Sequence, residues 1–72
     1  MTKLLANLIS ASERLIHTDK ALRNHPRYLQ IRQSRWHELN DAWDAAMDYV
    51  LDHNIPESSP LGRAIAIGLE LL

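Results

Sequence analysis

From Pro26 to His53 the chain runs without an internal glycine or proline, and this stretch holds all four aromatic residues, Tyr28, Trp36, Trp43 and Tyr49. Leu29, Trp36, Trp43 and Val50 recur every seven residues, with Leu39, Ala46 and Met47 in the turns between. That is the pattern of a helix buried along one side. At ~1.5 Å per residue such a helix is about 40 Å long. A chain of 72 residues must therefore be arranged along it as along a spine.

The flanking sequence predicts two more helices. Residues 2–24 carry Leu4, Leu5, Leu8, Ile9, Leu15, Ile16 and Leu22 on one broad face, with Thr2 as the cap. Asn24-His25-Pro26 predicts a tight turn, because proline disfavours a helical His25 and suits the first turn of the helix that follows. The spine stops where Asn54 tolerates a left-handed backbone, Ile55 folds back and Pro56 forbids continuation. Ser59-Pro60 is a cap followed by proline in the first helical position. The helix it opens, residues 60–71, has only Arg63 and Glu70 charged, and its Leu61, Ile65, Ile67, Leu69 and Leu71 predict burial on several sides. The expected fold class is all-α. One domain spans residues 1–72, an antiparallel hairpin of helices 2–24 and 26–53 plus the short helix 60–71, assembled as a dimeric helical bundle.

Folding the hairpin about residues 24–26 makes positions meet whose numbers sum to roughly 51, such as Leu22 with Leu29, Leu15 with Trp36 and Leu8 with Trp43. The expected core is Leu8, Leu15, Leu22, Leu29, Trp36, Leu39, Trp43, Met47 and Val50. Asp19 and Arg32 interrupt the two apolar stripes, and the same alignment brings them together. They are expected to form an ion pair whose role is to fix that alignment.

A lone core in so short a chain barely outweighs the entropy of ordering it, so burial against a second copy is expected. There is no cysteine, hence no disulfide or thiolate metal site, which fits a cytoplasmic protein. A net charge of -1 and a pI near 6.4 give no general attraction to nucleic acid or anionic lipid. No apolar run approaches the ~20 residues of a membrane span, so no membrane partner is expected.

Charge is segregated along the spine. Lys20, Arg23, Arg27, Arg32 and Arg35 precede its middle, and Glu38, Asp41, Asp44, Asp48, Asp52 and Glu57 follow. This polarity opposes the helix macrodipole, which favours acids early and bases late. An antiparallel second copy would set basic halves against acidic halves, so a homodimer is expected. Tyr28, Ile31, Arg35, Ala42 and Tyr49 lie about 100° or more around the helix from the tryptophan stripe. With Arg27, Asp41, Asp48, Asp52 and, from the third helix, Leu61 and Ile65, they form the candidate protein interface.

Catalytic and cofactor chemistry finds little footing. His37 with Asp41 and Asp44 with Asp48 have the four-residue spacing of helix-borne metal ligands but lack a third ligand. His17, His25, His37 and His53 form no constellation with a serine and an acid, and Gly62 and Gly68 are isolated rather than parts of a phosphate-binding loop. No enzyme activity, metal or cofactor is expected. The function expected is that of a small non-catalytic accessory protein, a homodimeric adaptor, regulator or inhibitor that binds a larger protein through the flank of its central helix. Two alternatives stand beside it. One is a nucleic-acid-binding regulator using the basic segment Lys20 to Arg35, although the acidic half of the helix would repel a DNA backbone. The other is an acidic decoy whose aspartates occupy a partner's nucleic-acid-binding surface.

Overall fold

The structure, a computed structural model, describes residues 2–72 and the side chains of residues 3–72. The expected cap at Thr2 concerns a side chain outside the described residues. The chain forms three helices, α1 (Thr2–Ala21), α2 (Tyr28–His53) and α3 (Pro60–Leu71), and no strand among the described residues. Its Cα atoms extend 43 × 18 × 17 Å, so the longest dimension is set by α2.

Each helix end has an identifiable cause. α1 stops three residues short of the expected boundary because the chain closes successive turns, with Leu22 N–H on the Thr18 carbonyl at 3.0 Å and His25 N–H on the Leu22 carbonyl at 2.9 Å. Arg27 is the N-cap of α2 and makes no side-chain capping bond, and His25 braces the turn that leads into it. The His25 Nδ1 accepts from Arg27 N–H at 3.0 Å and its carbonyl from Tyr28 N–H at 3.0 Å, which satisfies two donors at the helix start. At the other end Asn54 adopts φ 52° and ψ 44°, and Ile55 N–H reaches back to the Val50 carbonyl at 3.1 Å, the geometry of a Schellman stop. Ser59 Oγ accepts from Gly62 N–H at 3.0 Å and caps α3, with Pro60 behind it.

The core is built from Leu8, Ala11 and Leu15 of α1, Leu39 and Ala46 of α2, and Leu61, Ala64 and Ile65 of α3. Trp36, Trp43, Met47 and Val50 pack against it half-buried. Ser12 and Thr18 are also buried, each donating its hydroxyl to the carbonyl four residues back, Leu8 at 2.9 Å and Arg14 at 2.8 Å. That bond to the helix's own backbone lets a polar side chain occupy an apolar seam. α3 comes close to α2 because Gly68 has no Cβ. A Cβ there would lie 3.0 Å from Cδ1 of Trp43, whose indole N–H donates to the Ile65 carbonyl at 2.9 Å.

Three expectations are corrected by this packing. Leu29, expected in the core, is 76% exposed. A strict seven-residue repeat drifts by about 20° per repeat on a straight helix, so Leu29 sits about 80° from the buried line through Leu39, whereas Val50 sits about 20° from it. Leu22, beyond the end of α1, is only half-buried. α3, expected to be covered on several sides, leaves Ile67 54% and Leu69 60% exposed.

Candidate protein interface

Contacts between α1 and α2 begin at Asp19. Its Oδ1 accepts from the Tyr28 hydroxyl at 2.7 Å and from Arg32 Nε at 3.0 Å. The Tyr28 hydroxyl, opposed in part by burial and then joined by the Arg32 guanidinium, holds the Asp19 carboxyl below the usual carboxylate range. The side chains of Asp19 and Arg32 keep 32% and 38% of their exposure, so this is a half-solvated clamp rather than a buried ion pair. Solvent screening reduces its contribution accordingly.

A lowered carboxyl pKa stabilises the fold above the ordinary carboxylate range, and that stabilisation is lost as pH falls through the lowered folded-state value. Asp19→Asn should therefore cost about 1 kcal/mol near neutrality, with the gap from wild type closing below about pH 4. Urea denaturation at a series of pH values checks this. A gap of constant size across the series would contradict it.

Further along, Glu38 accepts from Arg14 at 3.3 Å and from Arg35 at 3.0 Å. Later α1 positions thus meet earlier α2 positions: 19 with 32, then 14 with 38. Arg32 reaches Asp19 of α1, and Arg35 reaches Glu38 of its own helix. Two of the five bases on which an antiparallel pairing of α2 helices would draw are thus engaged within the chain, while Lys20, Arg23 and Arg27 stay exposed.

The candidate interface residues separate into three groups. Leu61 and Ile65 belong to the chain's own core, because α3 turns that side onto α1 and α2; they are corrected from interface to core. Tyr28, Ile31, Arg35, Ala42 and Tyr49 are half-buried. Tyr28 is held by Asp19 and Arg35 by Glu38, Ala42 and Tyr49 pack on the core, and Tyr49 also stacks on His53 with ring centroids 4.0 Å apart. Arg27, Asp41, Asp48 and Asp52 are exposed, as is Asp44.

The exposed aspartates form a row. Asp41, Asp44, Asp48 and Asp52 fall on the side of α2 opposite Leu39, by the ~100° per residue of a helix. None of them is in an ion pair among the described residues. Over about 16 Å of helix they give four charges about 5.5 Å apart along the axis, a sparser line than the phosphates of one nucleic-acid strand at ~3.4 Å.

A second surface was not legible in the sequence. Between α1 and α3 lies a groove of about 400 Å³ lined by Ile9, Ser12, Glu13, Ile16, Pro60, Arg63, Ala64 and Ile67. Ile9 is 43% exposed and Ile67 54%. The breadth of α1's apolar face allows a second neighbour, but the position of the groove follows from where α3 lies across α1.

Among the described residues, no group of three or more His, Asp or Glu is placed to hold a metal ion, and no helix is long and apolar enough to cross a membrane. No protein-family model matches the chain, and comparison with curated proteins and with solved structures gives no significant match.

Proposed function

We propose that the chain is a small non-catalytic protein-interaction module, a homodimeric adaptor, regulator or inhibitor that meets a basic surface of a larger protein through the outer side of α2. In this reading α1 and α2 form an antiparallel hairpin, supported by the order of the Asp19–Arg32 and Arg14–Glu38 contacts. The observation that carries the reading is the row Asp41, Asp44, Asp48 and Asp52, exposed on a helix whose Arg32 and Arg35 are engaged within the chain. A rigid line of like charge speeds encounter with an oppositely charged surface and suppresses wrong partners. A basic surface of this kind is common on proteins that themselves bind nucleic acid, and that is the class of partner favoured.

The alternative of direct nucleic-acid binding has less support. Only Lys20, Arg23 and Arg27 of the basic segment remain exposed, since Arg32 and Arg35 are half-buried in their ion pairs. Immobilised chain should retain a basic, nucleic-acid-binding protein in a salt-sensitive manner, and the variant Asp41→Asn, Asp44→Asn, Asp48→Asn, Asp52→Asn should lose at least about tenfold of that retention. Random duplex DNA at low salt should not be retained. Equal retention of the same proteins by both forms would refute the aspartate row, and salt-dependent retention of DNA would favour the alternative.

A further inference from the structure

We propose that the groove between α1 and α3 is the seat of a second copy of this chain, related by a two-fold axis that sets the Ile9 and Ile67 side chains of the two copies against one another. The proposal rests on the homodimeric reading above and places the self-association on a face other than the aspartate row. The groove floor is apolar. Ala64 is buried, and buried Ser12 directs its hydroxyl to the Leu8 carbonyl of its own helix, leaving that hydrogen unavailable to the groove. Ile9 and Ile67 stand exposed above the floor.

The occupant follows from charge. A two-fold interface uses the same patch on both copies, so the patch must complement itself. The groove carries one exposed acid, Glu13, and one exposed base, Arg63, and neither is in an ion pair among the described residues. Under the two-fold, Glu13 meets the partner's Arg63 and Arg63 meets the partner's Glu13. Both charges are answered by one operation. An anionic lipid surface or a strongly charged protein would find no net charge to recognise here.

Sedimentation equilibrium over a series from micromolar to millimolar should show wild type passing from monomer to dimer. Glu13→Arg alone and Arg63→Glu alone should each weaken association by about tenfold or more, since each sets like charges opposite one another twice. A mixture of the two single variants should regain the dimer, because every contact between them is then attractive. Both positions are exposed, so the fold should survive, and unchanged helical circular dichroism checks it. Ile67→Glu should abolish the dimer. A wild type that stays monomeric, or a dimer indifferent to both reversals, overturns the proposal. A monomeric wild type would also remove the homodimeric part of the reading above, whereas a dimer indifferent to both reversals overturns only this seat, and salt-sensitive retention through the aspartate row is tested independently of either result.

Discussion

Leu39→Ala is expected to destabilise the fold by about 3–5 kcal/mol, the range for truncating a fully enclosed leucine that leaves a cavity behind. Leu39 is completely buried at the centre of the three helices, in one cluster with Leu8, Leu15 and Leu61. A chain of 72 residues has roughly 4–11 kcal/mol in all. The variant should therefore melt about 12 °C or more below wild type, at about 4–8 °C per kcal/mol for a domain of this size. Leu29→Ala supplies the contrast. It removes the same atoms from a side chain 76% exposed and should change stability by no more than about 0.5 kcal/mol. Thermal denaturation of both variants checks the pair of outcomes. Similar losses at 29 and 39 would mean that the seven-residue stripe, rather than the line through Leu39 and Ala46, is the buried one.

Gly62→Ala is expected to destabilise by about 1–3 kcal/mol, against the ordinary helix preference, which would favour alanine by ~1 kcal/mol. The sign is the informative part. A Cβ at 62 would lie 2.5 Å from the Glu57 carbonyl oxygen and 2.7 Å from that of Pro56. Both are backbone atoms in the turn that delivers Ser59 to the start of α3, where Ser59 Oγ also donates to the Pro56 carbonyl at 2.7 Å. Relief requires the turn to shift and disturbs the cap. Gly68→Ala meets the Trp43 side chain at 3.0 Å, which can move, so its cost should be smaller. Chemical denaturation of the two alanine variants gives the order directly. A stabilised Gly62→Ala would show that the turn does not press on α3.

Local chemistry accounts for what could be read from the residues alone. The stop at Asn54 and the Ser59 cap each depend on one or two side chains with narrow backbone preferences, and α2 ends and α3 begins where they stand, whereas α2 starts at Tyr28, two residues past the expected Pro26. Asp19 and Arg32 came together because a charge inside each apolar stripe leaves few partners at the same level. What was misread depended on angle and crowding. The four-membered stripe from Leu29 to Val50 looked continuous because sequence spacing hides the drift between a repeat of seven and a turn of 3.6 residues. Buried Ser12 and Thr18 went unseen since their hydroxyls bond to their own helix, and nothing in composition distinguishes such residues from exposed ones. The groove lined by Ile9 and Ile67 depends on where α3 lies across α1, which no local pattern encodes.

The row of aspartates is the claim on which the functional reading depends, and its footprint can be measured. Backbone amide chemical shifts of the labelled chain, followed as a captured partner is added, should change at Asp41, Asp44, Asp48 and Asp52 and along the side of α2 opposite Leu39, with the changes diminishing as salt is raised. Shifts confined to the turn around Arg23 and Arg27, or to residues away from α2, with no response at the four aspartates, would contradict the account.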